Sequence, residues 1–390
     1  MTRRTFLASG ASTPVALAAA APGPTIRKIE VFPLVYPVNG FFKFFTRPER
    51  PAVFVKITCE DGTVGWGQSV PIQTWSYETL ESASGTLRDY LAPALIGHDA
   101  VDIEGAHKVM NKTIAPSFST GMPIAKAGID LALHDIAGKL ARKSLPELWG
   151  RKPIERITLS WTVNVKTLAE VDTQVEEGKK RGYKNFNIKV APDPKFDVQL
   201  ARRVRQLVPK GFLWADANGG YDTATALEAI PKLRDAGVDV LEQPVAANRL
   251  SGFASARKLG ALPILMDEGL VSSVELEEFI KLGLLDGAAM KPQRTAGLCD
   301  ARKQVEMLEK YNLRFLGSGL TDPDVSLAAS LVLYGAYHLK YPAALNGLQY
   351  LSGSFLKNPF HVVEGTLAVP TGPGLGVQVD EDAVRRATRA

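Results

Sequence analysis

From Ile157 onward, the sequence alternates regularly between short apolar segments that end in polar residues and segments with helical periodicity. Eight such apolar segments within roughly 190 residues predict parallel strands covered by helices. This number of units favours a closed (β/α) barrel over an open doubly wound sheet. The first segment is not followed by Gly-x-Gly-x-x-Gly, and the absence of this motif weighs against a dinucleotide-binding fold. The segments are ITLSWTV, NFNIKV, FLWADAN, VDVLEQP, PILMDEG, DGAAMKP, LRFLGSG and AALNGL.

The residues before the barrel have a different pattern. Residues 26–70 contain strand-like segments rich in β-branched and aromatic residues, and helical patterns follow them up to a linker that contains PELWGRKP. We therefore predict an α+β domain at 26–150 and the barrel at 151–349. Residues 350–390 are rich in Gly and Pro and too irregular for another barrel unit, so we expect them to return to the first domain.

The first 25 residues resemble an export signal. Arg3 and Arg4 precede a modest apolar stretch, PVALAAA, and small residues follow it. Paired arginines followed by Phe6 and Leu7 resemble the twin-arginine signal, which predicts export to the periplasm in folded form. An ordinary N-terminal tail would instead leave the protein in the cytoplasm. No segment approaches about 18 unbroken apolar residues, so we expect no membrane domain.

Composition excludes several classes of protein. The chain is 45% hydrophobic and 22% charged, as soluble globular proteins are. The net charge is only +5, and no basic block is interleaved with aromatic residues, so no nucleic-acid partner is expected. The two cysteines, Cys59 and Cys299, are far apart in sequence and form neither a disulfide framework nor a metal-binding motif. We expect both to be buried free thiols.

Charged residues stand at the carboxyl ends of five consecutive predicted strands. Successive members are separated by 27, 26, 25 and 24 residues, so one strand–helix unit lies between each and the next. Active sites of such barrels lie at this end of the strands, and the five side chains should therefore surround one mouth. They are Lys189, Asp216, Glu242, Asp267 and Lys291.

The three acidic residues predict a metal site. Asp216 alone could be a turn or cap residue, but three carboxylates on neighbouring strands repel one another unless a cation lies between them. The five histidines all lie outside residues 157–320, so the ligands are oxygen atoms. Such a donor set suits Mg²⁺, or Mn²⁺, rather than Zn²⁺.

The two lysines predict proton transfer. Lys189 and Lys291 flank the acidic residues in strand order and would face each other across a closed barrel. A lysine that is partly desolvated beside a metal can lose its proton and act as a base. The combination suits removal of a proton next to a carboxylate, with the metal stabilising the enediolate that forms.

The motifs DANGGY, LEQP, MDEGL and MKPQRTAGL resemble those of the enolase superfamily. Within it, the chain is similar to the mandelate racemase/muconate lactonizing enzyme family and most similar to its muconate-lactonizing subgroup, from about residue 26 to the C-terminus. This resemblance implies a (β/α)7β TIM-like barrel with an α+β capping domain that closes the site. It also implies Mg²⁺ ligands at Asp216, Glu242 and Asp267, an acid/base pair at Lys189 and Lys291, and a homo-oligomer.

The same resemblance leaves the reaction open. It implies racemisation, epimerisation or cycloisomerisation of a small carboxylate or amino-acid derivative, and a dehydratase could be built from the same parts. A Schiff-base aldolase that uses Lys291 is a different class, but it gives the three acids no function. A non-catalytic exported binding protein would not require both the lysine pair and the acids.

One position departs from the subgroup pattern. Lys-x-Lys is usual on the second barrel strand, and here Asn187 takes the first place. The missing like charge would have lowered the pKa of Lys189. Its absence favours a one-sided elimination or cycloisomerisation over racemisation by two equivalent bases, unless the metal alone tunes Lys189.

The remaining candidates surround these groups. Asn187, Asn218 and Glu268 are expected to contact the ligands and lysines. Arg294 either meets a substrate carboxylate or pairs with Glu268. A loop with four phenylalanines, NGFFKFFT, and the segment PIQTWSYET are expected to form an apolar lid over the substrate or simply to pack. The candidates for substrate contact are Phe42, Phe45, Trp75, Trp161 and Arg294.

Overall fold

A computed structural model describes residues 22–116 and 119–389. Arg3 and Arg4, which carry the predicted export signal, lie outside the described residues, and the signal stays a prediction. Within the described part of the chain, no helix is both long enough and apolar enough to span a membrane.

The N-terminal part forms a three-stranded antiparallel sheet covered by helices. The longest helix packs closely on the third strand because that strand carries two glycines. A side chain at Gly67 would collide with the backbone of Gly128 in the helix, so glycine is needed for this approach. The elements are β1 (Ile26–Pro37), β2 (Glu49–Cys59), β3 (Val64–Ser69), α1 (Leu80–Gly85), α2 (Ala92–Leu95), α3 (Ile103–Thr113), α4 (Pro123–Ala141) and α5 (Leu145–Leu148), with a π-helical turn (Thr86–Leu91) before α2.

The second part contains the predicted parallel sheet with its helices, and the predicted fold class is confirmed. Its seven strands pair in sequence order, β5 to β11, and apolar side chains fill the space between the sheet and the helices. The seven strands are β5 (Ser160–Val163), β6 (Asn185–Lys189), β7 (Leu213–Asp216), β8 (Val240–Glu242), β9 (Ile264–Met266), β10 (Gly287–Met290) and β11 (Arg314–Gly317). Two further strands, β4 (Arg156–Thr158) and β12 (Thr366–Ala368), form a separate pair.

The helices of this part alternate with the strands, as the periodicity predicts. Two 3₁₀ turns accompany them, Leu168–Glu170 before the first helix and Pro292–Thr295 after β10. The helices are α6 (Val171–Lys180), α7 (Pro194–Leu207), α8 (Thr223–Asp235), α9 (Leu250–Leu259), α10 (Ser273–Lys281), α11 (Leu298–Lys310), α12 (Asp324–Ala336), α13 (Gly347–Tyr350) and α14 (Glu381–Ala387).

The eighth predicted strand is reduced to two bridging residues. Ala343 bridges to Leu159 beside β5, and Ala344 bridges to Ser318 beside β11, both in parallel. These two contacts join the first strand of the sheet to the last and close the barrel. The segment cannot extend further because α13 begins at Gly347, only a few residues later.

The first predicted barrel strand, residues 157–163, is divided in two. β5 joins the barrel, whereas β4 pairs antiparallel with β12 from the C-terminal segment. The same segment also contacts the N-terminal domain, since Leu375 donates to Asp135 of α4 and Arg389 donates to the Pro33 carbonyl in β1.

One buried arginine joins the two parts of the fold. The Arg50 guanidinium donates to the carbonyls of Val70 (3.0 Å) and Pro71 (2.8 Å), just after β3, and to that of Leu320 (2.7 Å), after β11. It thereby fixes the start of the loop that carries Trp75 against the mouth of the barrel.

Candidate active site

The backbone brings the five predicted residues to one mouth. Asp216 ends β7 opposite Glu242, which ends β8, and Asp267 directly follows β9. Each acid is about 1% exposed. Lys189 ends β6 beside Asp216, and Lys291 directly follows β10. In the closed ring, β6 and β10 lie across from each other, so the lysines stand on opposite sides of the acids.

Each acid is contacted by a cationic side chain. Lys189 Nζ lies 2.5 Å from Asp216 Oδ2. Lys291 Nζ lies 3.4 Å from Glu242 Oε1 and also contacts Asp267 Oδ2. Arg294 contacts the other oxygen of Asp267. Because these charges are buried, the interactions between them are stronger than they would be in water.

The pKa shifts follow from this crowding. Burial, reinforced by repulsion from Asp216, raises the pKa of Glu242 well above its usual range. Burial alone would also raise the pKa of Asp267. Attraction to Arg294 and Lys291 outweighs burial, so the pKa of that carboxyl is lowered. Burial opposes a charge on Lys189 as well, yet attraction to Asp216 and Glu242 keeps its pKa above the usual value.

The acidic trio fits a bound divalent cation. Glu242 is buried against a second carboxylate, an arrangement that favours a nearby positive charge. The donor set is oxygen only, which suits Mg²⁺ or Mn²⁺. Asp216, Glu242 and Asp267 would hold the ion.

Asn218 and Glu268 lie beside this group, as the sequence predicts. The Asn218 amide donates to Asp216 Oδ2 (3.0 Å) and to Glu268 Oε1 (3.1 Å). Burial and repulsion from Asp267 raise the pKa of Glu268. Asn218 therefore links an acid of the trio to a carboxyl on the side of Lys291.

Gln243 is a supporting residue that the sequence analysis did not single out. Its buried Oε1 accepts hydrogen bonds from the backbone N–H groups of Asp267 (2.8 Å) and Glu268 (3.0 Å). It therefore fixes the chain where β9 ends. Its place directly after Glu242, within the LEQP motif, is the signal that could have identified it.

Trp75 from the N-terminal domain covers the mouth. Lys189 Nζ and Lys291 Nζ lie 5.7 and 5.1 Å from the centre of its ring, and its Nε1 donates to Glu268 Oε1 (2.9 Å). Both lysines thus face one aromatic surface, at distances where cation–π attraction acts.

The phenylalanine loop between β1 and β2 supports Trp75. Phe44 stacks on the indole with ring centres 4.5 Å apart, and Phe42 lies 6.1 Å from the indole and 5.9 Å from Lys189 Nζ. Phe45 packs on Phe42. Phe42 thus borders the mouth directly, whereas Phe45 reaches it only through Phe42.

Two of the substrate-contact candidates make other contacts. Trp161 lies outside the mouth and packs against Tyr183, because side chains alternate along β5 and Thr162 takes the inward position. Arg294 pairs with Asp267 rather than with Glu268 or a free position for substrate. Its guanidinium is 1% exposed, so it acts within the charged cluster.

Asn187 faces the barrel interior, two residues before Lys189 on β6. Lys189 is the one cationic residue of that strand. The Asn187 Oδ1 accepts a hydrogen bond from Thr162 (2.9 Å), whose hydroxyl in turn lies 3.3 Å from the Asn346 amide. Among the described residues, the Asn187 side chain hydrogen-bonds to Thr162 and Ser160 and not to the lysines or the acids, so the expected contact with them is not seen. Asn187 is a neutral polar group on the same face of β6 as Lys189.

Lys43 supplies a positive charge that the sequence analysis did not identify. It lies in the phenylalanine loop, and burial together with repulsion from Lys189 lowers its pKa. Asp216 and Glu268 act on it in the opposite direction, which places Lys43 within the electrostatic field of the mouth. Because Lys43 belongs to the N-terminal domain, the spacing of residues along the barrel strands could not show that it lies near Lys189.

Comparison with known proteins agrees with this geometry. The profile for the mandelate racemase/muconate lactonizing enzyme N-terminal domain matches residues 29–150, and that for the enolase C-terminal domain-like family matches residues 170–383. The chain is 31% identical over 353 residues to a chloromuconate cycloisomerase of Cupriavidus necator, covering 89% of this chain and 94% of the relative.

A second relative is a racemase. The N-succinyl-L-Arg/Lys racemase of Bacillus cereus is 28% identical over 374 residues, covering 93% of this chain and 98% of that protein. The solved structure of N-succinyl Arg/Lys racemase from this species superimposes with a TM-score of 0.86, covering 94% of this chain and 98% of the other.

The barrel, the acidic trio and the opposed lysines thus define an enolase-superfamily enzyme. The chain belongs to the mandelate racemase/muconate lactonizing enzyme family and is muconate cycloisomerase-like. The relatives are isomerases, which confirms the predicted enzyme class.

Proposed function

We propose that this isomerase abstracts the proton next to the carboxylate of a small carboxylic acid or amino-acid derivative in an Mg²⁺-dependent reaction. The outcome would be racemisation, epimerisation or cycloisomerisation. The observation that carries the proposal is the placement of Lys189 and Lys291 on opposite sides of three buried acids. Relatives that act as cycloisomerases and as a racemase support both outcomes.

The residues of the chain divide the chemistry between them. A bound divalent cation would stabilise the negative charge that develops on the substrate carboxylate. Lys189 Nζ and Lys291 Nζ would hold or accept the proton on the two faces of the substrate. Trp75 would cover the mouth and exclude water, which strengthens the charge interactions beneath it.

A one-sided reaction is favoured by two observations. Asn187 gives Lys189 no like charge from its own strand, and attraction to Asp216 keeps the pKa of Lys189 high. Lys189 would then act mainly as an acid, and Lys291 would remove the proton. A dehydratase remains the second candidate, since elimination uses the same groups, and analysis of products for loss of water separates the two.

The direct test is exchange of the substrate proton with solvent. Dicarboxylates and N-acylamino acids are incubated with the full-length enzyme and Mg²⁺ in deuterated water, and mass spectrometry follows deuterium uptake. We expect exchange or isomerisation for at least one class, and loss of both with EDTA. Borohydride trapping of an imine on Lys291, with no metal requirement, would contradict the proposal.

The charge on Lys43 should tune Lys189. Because repulsion between ammonium groups is mutual, removing Lys43 raises the pKa of Lys189, which then stays protonated to higher pH. In Lys43→Met we expect the high-pH limb of the kcat/KM profile to move upward by up to about one pH unit. Lys166→Met is the control, since it also removes a lysine charge that contacts the phenylalanine loop, in this case at Phe41. A raised KM with an unmoved limb would instead place Lys43 on the substrate.

Two further expectations are part of the proposal. Export through the twin-arginine route rests on Arg3 and Arg4, and assembly as a homo-oligomer rests on the family resemblance. Both are independent of the chemistry at the mouth.

A further inference from the structure

A second group of metal-ligating side chains lies away from the barrel mouth, between the two parts of the fold. It combines His107 from α3, Asp130 from α4 and Cys299 from the first turn of α11. One ligand atom from each lies within 4.8 Å of the others. Cys299, which makes no metal motif in sequence, thus acquires two ligating neighbours from helices far away in the chain.

Asp130 is the centre of this group. Its carboxylate is fully buried, and attraction to His134 and His107 outweighs burial and lowers its pKa. His107 Nε2 lies 2.8 Å from Oδ2, and His134 Nδ1 lies 2.9 Å from the backbone carbonyl of Asp130 and 3.2 Å from Oδ1. The carboxylate also accepts hydrogen bonds from the first N–H groups of α11, at Leu298 and Cys299.

A helix cap alone explains only part of this arrangement. Capping α11 requires the two backbone N–H contacts, but it requires neither two imidazoles nor a thiol beside the carboxylate. Glycine at position 297 is needed, because a side chain there would collide with Asp130 Oδ1. The carboxylate is thus held at the start of α11 with ligating groups on its other sides.

We propose that His107, Asp130 and Cys299 form a second cation site, which takes a thiophilic divalent cation such as Zn²⁺. Zinc–ligand distances are about 2.0–2.3 Å, so side-chain rotations can bring atoms this close together onto one ion. A nitrogen, oxygen and sulfur donor set selects Zn²⁺ over Mg²⁺, whereas the oxygen donors at the barrel mouth do the reverse. His134 is a positioning residue, since it contacts Asp130 and not the ion.

The site has a route to solvent. A cavity of about 770 Å³ lies between α3, α4, α5 and α11, and both Cys299 and His134 line it. A water from this cavity can complete a four-coordinate site. For Nε2 of His107 to bind the ion, the proton that it donates to Asp130 would have to move to Nδ1 or to solvent, and Cys299 would lose its thiol proton, so at least one proton is released for each ion bound. The ion would join two helices of the N-terminal domain to a barrel helix.

Titration with Co²⁺ distinguishes the proposed site from the barrel mouth, because only the proposed site contains a thiol. The full-length protein, with Mg²⁺ saturating and a phosphine reductant present, is titrated with Co²⁺, and near-ultraviolet absorption is followed. We expect a thiolate-to-Co²⁺ charge-transfer band at one equivalent, proton release in weak buffer, and loss of the band when Zn²⁺ is added. An oxygen-only site gives no such band.

Variants assign the ligands. Cys299→Ser should abolish the band, whereas Cys59→Ala, which removes the other cysteine, should keep it; of the two expected buried thiols only Cys59 is buried, and Cys299 is half-buried. His134→Gln should weaken Co²⁺ binding by about 10–100-fold, as loss of an outer partner does, and His107→Gln by more than that. Asp216→Asn should leave the band unchanged. A wild-type protein without the band, or a Cys299→Ser protein that retains it, would overturn the proposal and leave Asp130 as a helix cap.

Discussion

Replacing Lys291 by methionine should abolish deuterium incorporation into the substrate, because this lysine is expected to remove the proton. Methionine keeps most of the side-chain volume at a position where Lys291 is 1% exposed, so packing changes little. Loss of a positioned acid or base costs about 10²–10⁴-fold in rate. The measurement is substrate exchange in deuterated water alongside product formation, with melting temperature as the check on folding.

Lys189→Met should fail in a different way. Attraction to Asp216 holds the proton on Lys189, so this residue is suited to donate a proton after the first step. We expect the variant to retain some exchange of the substrate proton while product formation falls by about 10²–10⁴-fold. If Lys189→Met loses all exchange and Lys291→Met keeps it, the two roles are reversed. Equal loss in both would favour racemisation by two equivalent bases.

The sequence predicts this site well because its residues follow strands at a regular spacing. Once the segments around Asp216, Glu242 and Asp267 are identified as consecutive parallel strands, their carboxyl ends must meet at one end of the barrel. The backbone pairing of neighbouring strands then determines which residues lie side by side, as it does for Asp216 and Glu242.

Contacts between distant segments are what the sequence could not predict. Trp161 is a predicted substrate contact, but side chains alternate along β5 and that of Trp161 points away from the mouth. Lys43 enters the field of Lys189 only through the position of a loop on another domain. The eighth strand is short because α13 begins at Gly347, a tertiary feature that apolar patterning does not show.

A large effect is also expected at the acidic trio. Glu242 lies between Asp216 and Asp267 in strand order, and its main polar contact is Lys291. Glu242→Gln keeps the shape and removes one of three charges. We expect Mg²⁺ affinity to fall by more than about 100-fold, since loss of an outer partner alone costs about 10–100-fold. Calorimetric titration of Mg²⁺ measures it directly.

Thermal unfolding gives a readout of the same site that does not depend on activity. At Mg²⁺ 100-fold above its Kd, the wild-type protein should gain about 2.7 kcal/mol of stability over the EDTA-treated protein, because the ion binds only the folded state. Glu242→Gln should show almost none of this gain, and the exposed control Glu277→Gln, which loses only a surface pair with Lys281, should show all of it. Wild-type affinity in Glu242→Gln would mean that the three carboxylates do not hold the metal. The proton would then have to be removed without a cation held by these acids, which would serve only as ion-pair partners of Lys189 and Lys291.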